Sequence, residues 1–178
     1  GVLGEQGFWK AIRLFAQRHA FRNADTYELM LAVEDATGRN LAWFFDQWAY
    51  KAGHPKVQVN SVWSDDTKTL QLEFTQTQVL DSLTGVFKFP LSIECTTLAE
   101  TTTTSVFIDQ RQQQVRIPLS GQPLMVVVDK GKYVLATFDS HKTREEHLYQ
   151  LSHARDVADR IDAAKQLQHH NNDSIVFD

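Results

Sequence analysis

Cysteine is almost absent from this 178-residue sequence, which contains only Cys95. A single cysteine excludes an internal disulfide and a cysteine-type metal cluster. Cys95 alternates with apolar neighbours along its segment, so we expect it to be a small residue of the hydrophobic core. A chain without a disulfide is compatible with a reducing compartment such as the cytoplasm.

Long hydrophobic runs and an excess of positive charge are also missing. No stretch of about 18 apolar residues occurs, which predicts that no part of the chain spans a membrane. The first ten residues lack the basic and apolar regions of a signal peptide. The net charge is −4, whereas nucleic-acid binding is typical of a clustered basic face, so no nucleic-acid partner is expected. Hydrophobic residues make up 42% of the chain, which is enough to build a substantial core.

The first third of the sequence predicts helices. Between Glu5 and Ala20, large side chains recur at helical spacing and predict one buried face. This face consists of Phe8, Ile12, Phe15 and His19. Asp25 and Glu28 have the spacing of a capping box at the start of a second helix, and Gly38 follows its last residue.

A third helix is predicted to begin after Asn40, a good N-cap residue, and to end before Gly53. Pro55 bars the helix from continuing and favours an extended backbone at His54. The short Gly-His-Pro sequence therefore marks the change from helix to strand. We expect Trp48 to be buried and to tie this helix to the first one. Its expected neighbours are Phe15, Leu41, Phe44 and Phe45.

Seven short runs with alternating apolar residues follow, joined by turn-forming residues. They cover residues 56–63, 69–76, 86–96, 102–109, 114–119, 124–129 and 133–138. No helical stretch interrupts them, which predicts an antiparallel β-sandwich rather than a parallel sheet with crossover connections. Pro90 lacks a backbone donor, so we expect an edge position or a bulge there.

From about Thr143 the pattern is helical again. Ser152 is expected to divide this region into two helices and to cap the second. The predicted apolar stripe consists of Leu148, Leu151, Ala154, Val157, Ala158, Ile161, Ala164 and Leu167.

Histidine clusters are the obvious candidates for metal chemistry, and their spacing argues against it. His141 and His147 lie six residues apart with Glu145 between them, whereas zinc-binding histidines on a helix lie at positions i and i+4. His169 and His170 are adjacent, so they do not share a helix face.

The remaining motifs give the same result. His19 continues an apolar face and His54 lies at the helix–strand junction, and both positions favour local hydrogen bonds over catalysis. The sequence contains no G-x-S-x-G motif and no glycine-rich phosphate loop. The residues alone therefore assign no catalytic, cofactor-binding or metal-ligating role in this chain.

Several landmarks carry a resemblance to a known family. They are Leu3-Gly4-Glu5, Phe8, Phe15, Asn23-Ala24, Gly38, Phe44-Phe45, Trp48, Gly53 and Pro55. In this order and spacing they resemble the end of the catalytic domain in the aminopeptidase N family of zinc metallopeptidases. The similarity is strongest over residues 1–55 and 144–168. The intervening strands resemble the family's sandwich more weakly.

The resemblance implies an α+β fragment in three parts. Residues 1–54 would be the helical end of a catalytic domain, residues 55–140 an antiparallel sandwich of about seven strands, and residues 141–178 the start of a C-terminal helical repeat array. The family's H-E-x-x-H zinc motif, its G-A-M-E-N motif and its oxyanion-binding tyrosine all precede this part. None of them occurs here, so no catalytic residue is carried over.

The implied function is that of a non-catalytic scaffold within a zinc-dependent aminopeptidase, a hydrolase that removes N-terminal residues from peptides. Its expected partners are the rest of the parent chain, with peptides as the parent's substrates. Self-association through the truncated helical tail is also expected. Two alternatives stay open: a fragment of a non-catalytic relative, such as a transcription-initiation subunit that has lost the zinc site, and a stand-alone sandwich that acts as a binding module.

Overall fold

The computed structural model describes residues 1–170, and in this range helices flank a two-sheet β-sandwich. The helices are α1 Gly4–Arg18, α2 Thr26–Thr37, α3 Ala42–Phe45, α4 Arg144–His153 and α5 Val157–His170. The strands are β1 Lys56–Ser64, β2 Thr69–Gln76, β3 Phe89–Thr96, β4 Thr101–Ile108, β5 Gln112–Pro118, β6 Met125–Val128 and β7 Thr137–Ser140. The expected α+β class with about seven strands is confirmed. Among the described residues, no helix is both long and apolar enough to cross a membrane.

The start and end of α2 follow the predicted capping pattern. Asp25 Oδ1 accepts a hydrogen bond from the Glu28 backbone N–H at 3.0 Å, and Glu28 Oε2 accepts one from the Asp25 N–H at 2.9 Å. Gly38 ends the helix with a φ of 68°, a left-handed conformation that glycine adopts without a steric penalty. The local sequence therefore determines both ends of this helix.

The buried face of α1 lies beside the predicted one. Its line of contact with α2 contains Gly7, Ala11 and Leu14, and Ala11 is buried. A Cβ at Gly7 would lie 3.6 Å from the Thr37 methyl group, an ordinary van der Waals contact that places this residue against the end of α2. Phe8 is correspondingly 46% exposed. The predicted face was wrong at Phe8, whereas Ile12, Phe15 and His19 are partly buried.

The third helical segment is shorter and more irregular than predicted. Asn40 does accept a hydrogen bond from the Ala42 N–H at 2.9 Å, but the α-helix ends at Phe45. It continues directly into a π-helical segment, Asp46–Tyr50, in which each turn contains an extra residue. Gly53 then turns the chain with a φ of 84°.

The sandwich consists of two sheets packed face to face. One sheet has the strand order β5-β2-β1-β7 and the other has the order β4-β3-β6. Alternate residues of β1, β2 and β3 point into the space between them, as the sequence predicted. The buried core includes Val57, Val59, Leu70, Leu72, Phe74, Leu91, Ile93 and Cys95. Burial, followed by the nearby Glu94, raises the pKa of the Cys95 thiol to about 11, as suits a core residue rather than a reactive one.

One strand pair departs from the antiparallel expectation. Strand β7 lies parallel to β1, with Val57 opposite Phe138. The chain forms β7 only after the other six strands, so the rest of the sandwich forms the connection between the two parallel strands. The Thr137 N–H donates to the Pro55 carbonyl at 3.0 Å, which extends the pairing to the start of β1.

Pro90 lies on the central strand of its sheet, but only one neighbour flanks it. Strand β6 pairs with Ile93–Thr96 and does not reach Pro90. The Lys130 N–H donates to the Ser92 carbonyl from the β6 side, and alternate residues of a strand point their backbone groups the same way. The missing donor of Pro90 therefore faces the open side and costs no ladder hydrogen bond.

A polar side chain, Gln76, is fully buried at the end of β2. Its Nε2 donates to the carbonyls of Phe87 at 2.8 Å and Gln110 at 3.1 Å. Its Oε1 accepts from the Phe87 N–H at 2.9 Å and from the Gln78 amide at 3.0 Å. The side chain thus satisfies backbone groups in segments that belong to no sheet ladder.

The C-terminal helices form where predicted but bury a different face. Thr143 caps α4, and the break before α5 lies at Arg155, with Asp156 accepting from the Ala158 N–H at 2.9 Å. Ser152 instead donates to the Leu148 carbonyl, so its predicted capping role was wrong. The buried positions are His147, Gln150, Ala154, Asp159 and Ala163. Of the predicted apolar stripe only Ala154 is buried, and half of its residues are exposed, among them Val157 at 58% and Ile161 at 50%.

Candidate functional site

Two junctions join the sandwich to its flanking helices through specific side-chain contacts. The first, here called the front junction, joins the π-helical segment to the backbone before β3. Gln47 is its centre. Gln47 Oε1 accepts from the Lys88 N–H at 2.6 Å, and its Nε2 donates to the Lys88 carbonyl at 2.9 Å. The side-chain amide thereby pairs with the backbone as a neighbouring strand would.

Trp48 forms the apolar half of the front junction. Its ring lies 5.4 Å from the ring of Phe87 and 6.4 Å from that of Phe44, measured between centroids, and it packs against the sandwich core. The predicted contact with Phe44 is confirmed, but the sequence also predicted a fully buried position that ties this helix to Phe15 on α1. Trp48 is instead half-buried and ties its helix to the sandwich. The π-helical geometry places Gln47 and Trp48 together on this side, a consequence that helical spacing in the sequence does not indicate.

The linker after Tyr50 is held in place by backbone contacts. The Ala52 N–H donates to the Leu83 carbonyl at 3.1 Å. A Cβ at Gly53 would lie 3.0 Å from the Thr84 methyl group, so only glycine fits here without strain. His54 contacts Thr137 on β7, with 3.3 Å between Nε2 and Oγ1. A local hydrogen bond was expected for His54, and this was wrong, because its partner lies 83 positions away in the sequence.

The second site, here called the rear junction, joins the sandwich to α4 and α5 through polar groups. Lys142 Nζ donates to Gln150 Oε1 at 2.7 Å, and Gln150 Nε2 donates to the Asp159 carbonyl at 2.8 Å. The Asp159 carboxylate accepts from the Gly131 N–H at 3.3 Å, which returns the connection to the sandwich. A buried polar network of this kind is specific in geometry, because each lost partner leaves another group unsatisfied.

The loop between β6 and β7 supplies the charges around this network. The Asp129 carboxylate accepts from the N–H groups of Tyr133 and Val134 at 3.1–3.3 Å. Lys132 Nζ lies 3.0 Å from Asp162 Oδ2. Burial raises the pKa of both Asp129 and Asp159 above the ordinary carboxyl value. Burial, followed by the positive charge of Lys132, lowers the pKa of Lys142 to about 8.

The lowered pKa of Lys142 predicts that alkaline pH stabilises the folded chain. Between pH 8 and the ordinary value of 10.5, the unfolded chain retains a proton that the folded chain has released, so the free energy of unfolding rises with pH. Relative to a Lys142→Met variant, the wild-type value should rise by about 1–3 kcal/mol between pH 7.5 and pH 10. Urea titrations of both proteins at the two pH values measure this difference. Parallel pH profiles would show that Lys142 does not titrate in this range.

The histidines considered for metal binding do not converge. His141 Nε2 lies 3.1 Å from the side-chain nitrogen of Gln58, and His147 is buried on α4. Among the residues that the structure describes, no group of three or more His, Cys, Asp or Glu side chains is arranged to hold a metal ion. The side chains of His169 and His170 lie outside that description. The donor groups that are described therefore do not fit a zinc ion.

Taken together, the front and rear junctions can hold the helical segments that precede and follow the sandwich in a defined orientation. Neither combines a nucleophile, a base and an oxyanion-binding group. Sequence reasoning missed Gln47, Gln150 and Lys142, since polar residues within helical or strand patterns read as exposed. The sequence of α4 has few apolar residues, and this was the signal that its buried face could be polar.

Comparison with known proteins connects this architecture to aminopeptidases. No family model matches the chain. It is 28% identical over 166 residues to transcription initiation factor TFIID subunit 2 of Drosophila melanogaster, covering 77% of this chain and 14% of that protein. It is 29% identical over 92 residues to probable aminopeptidase 1 of Sulfurisphaera tokodaii, covering 52% of this chain and 11% of that protein.

A solved structure extends the similarity to nearly the whole chain. The crystal structure of Legionella pneumophila aminopeptidase A in complex with aspartic acid superimposes with a TM-score of 0.81 at 14% identity, covering 99% of this chain and 21% of that one. The predicted resemblance to the aminopeptidase N family is confirmed for this segment. The chain spans only 11% to 21% of the length of these proteins.

Proposed function

We propose that this chain is the non-catalytic scaffold of a zinc-dependent aminopeptidase and connects its catalytic domain to its C-terminal helical array. The observation that carries the proposal is the match of 99% of the chain to a 21% portion of an aminopeptidase. The proposed parts are residues 1–54, 55–140 and 141–178. Zinc and the water it activates would be held by residues outside this chain, because the described donor groups do not form a zinc site.

Exposed apolar side chains support the scaffold role. Phe8 and Trp9 are about half exposed on α1, as are Val157 and Ile161 on α5. Apolar residues on both outer helical faces are consistent with further protein on either side of this segment, or with self-association of the isolated tail. The rigid front and rear junctions would then fix the distance and angle between the two outer parts.

The similarity to TFIID subunit 2 supports a second candidate function. That match covers 77% of the chain, a larger share than the match to the archaeal aminopeptidase. In this alternative the parent would be a non-catalytic scaffold that binds other proteins. The front and rear junctions would orient the flanking parts of the protein in both candidates. The two candidates therefore differ only in whether the complete protein hydrolyses peptides.

Activity assays on the complete parent protein distinguish the two candidates. We expect hydrolysis of aminoacyl chromogenic substrates that a chelator abolishes and zinc restores. The 178-residue chain alone should neither turn over these substrates nor bind zinc one-to-one at micromolar affinity in calorimetry. A parent that has neither activity nor zinc would support the non-catalytic alternative. Turnover by the isolated chain, lost in a His141→Ala variant, would contradict the scaffold role.

A further inference from the structure

The two sheets have four edges, and three of them are protected against pairing with another strand. Strand β5 carries Arg116 and ends at Pro118. Strands β6 and β7 have only four residues each. The side chains of Met125 and Val127 on β6 also pack with Ala154 and Tyr149, which places the end of α4 beside this strand. Short length, charge, proline and a covering helix are the usual ways in which proteins prevent edge-to-edge association.

Strand β4 has none of these protections. It runs for eight residues, with the sequence TTTTSVFI, and contains neither a charged residue nor a proline. It pairs on one side with β3, and no strand among the described residues pairs with its other side. A long, uncharged edge rich in β-branched residues is a template for strand addition.

The register identifies which backbone groups of β4 are free. The Thr97 N–H donates to the Glu100 carbonyl at 2.8 Å, which closes the turn between β3 and β4. The Phe107 carbonyl accepts from Gln113 Nε2 at 2.8 Å on the side away from β3. Because alternate residues of a strand point their backbone groups the same way, those of Thr101, Thr103 and Ser105 also face away from β3. Gln113 closes the Phe107 end, so the open stretch is Thr101–Ser105.

We propose that this open stretch pairs antiparallel with the same stretch of a second copy of the chain, about a two-fold axis at Thr103. Thr103 then lies opposite Thr103 of the second copy, and Thr101 lies opposite its Ser105. The hydroxyl-bearing side chains at these positions are compatible cross-strand neighbours. No like charges face each other, because Glu100 lies opposite Val106 of the second copy.

The charges at one end of β4 favour this antiparallel arrangement. Lys88 and Arg39 line a groove beside Phe107 together with the single acid Asp109. The register brings Glu100 of the second copy to this groove, where the two basic side chains outnumber the acid. At the other end, Lys130 and Arg155 line a groove with Glu94 and Glu100, so its charges balance and it neither favours nor opposes the pairing. Five paired residues form a small interface, so the dimer should be weak, with a dissociation constant above about 10 μM. This inference is independent of the proposed function.

A charge-exchange experiment tests the register. All proteins carry Ile161→Lys, which removes association through α5. The reference protein should show a reversible monomer–dimer equilibrium in sedimentation equilibrium. Thr103→Lys and Thr103→Asp, each placing like charges on the axis, should weaken the dimer at least about tenfold. Their equimolar mixture should restore association, and Thr103→Val should leave it unchanged. Thr103 is exposed, so melting curves should confirm that all variants remain folded.

Several results would overturn the proposal. A reference protein that stays monomeric up to millimolar concentration would do so. So would equal dimerisation of all four proteins, or a mixture that associates no better than its components. In hydrogen exchange, the Thr103 and Ser105 amides should be protected only at dimer-forming concentrations. Protection of these amides in the dilute monomer would mean that the chain covers its own edge.

Discussion

Replacing Trp48 with alanine is expected to destabilise the chain by about 3 kcal/mol. The ring contacts both Phe44 on α3 and Phe87 in the segment just before β3, so truncation removes apolar contacts on both sides of the front junction. The structure cannot fill the space easily, because Gln47 holds the adjacent backbone to Lys88. Chemical denaturation followed by circular dichroism measures the loss.

Trp9 provides a matched control. It is 49% exposed on α1, contacts Phe8 and lies outside the sandwich core. Trp9→Ala removes the same side chain and should cost less than about 1 kcal/mol in the isolated chain. Equal losses in the two variants would contradict the assignment of Trp48 as the residue that joins the helical segment to the sandwich.

A Gln76→Leu substitution should have the largest effect of any polar replacement considered, about 3–5 kcal/mol. Leucine has nearly the same volume, so no large cavity forms. It does, however, leave the N–H and carbonyl of Phe87 and the carbonyl of Gln110 without their hydrogen-bond partner in a buried position. Each unsatisfied buried group costs about 1–3 kcal/mol.

The control for Gln76 lies on the same strand. Gln71 occupies a half-exposed position of β2 opposite Val62. Gln71→Leu makes the identical chemical change without orphaning a buried backbone group, so its unfolding free energy should stay within about 0.5 kcal/mol of wild type. If Gln71→Leu is as destabilising as Gln76→Leu, the difference in hydrogen bonding between the two sites does not determine their contributions.

The sequence predicted those features in which a local interaction determines the structure. The capping box of Asp25 and Glu28 formed because both partners lie within one helical turn. The alternation of Leu70, Leu72 and Phe74 gave the correct buried face, since a strand in a sandwich must bury one of its two faces. Pro90 was expected at an edge strand or a bulge and lies instead on the central strand β3, at a position that β6 does not reach.

The predictions that were wrong concern the buried faces of helices. There, contacts with residues distant in the sequence determine which face is buried. On α1, contact with α2 selected Gly7 and Ala11 in place of the large residue Phe8. On the C-terminal helices, polar partners in the sandwich buried Gln150 and Asp159, while Ile161 stayed exposed. No single-sequence pattern records which neighbour a helix will meet. The rear junction could therefore be recognised only from the structure.

The π-helical segment Asp46–Tyr50 limits which mutations this part of the chain can accept during evolution. One additional residue in a helical turn rotates everything that follows by about 100° about the helix axis. The orientation of the sandwich relative to α3 therefore depends on the number of residues in the segment before Gly53. Deletion of one residue from this segment would rotate the sandwich relative to the helices that precede it. Lineages that keep the geometry should tolerate substitutions here far more readily than changes in length.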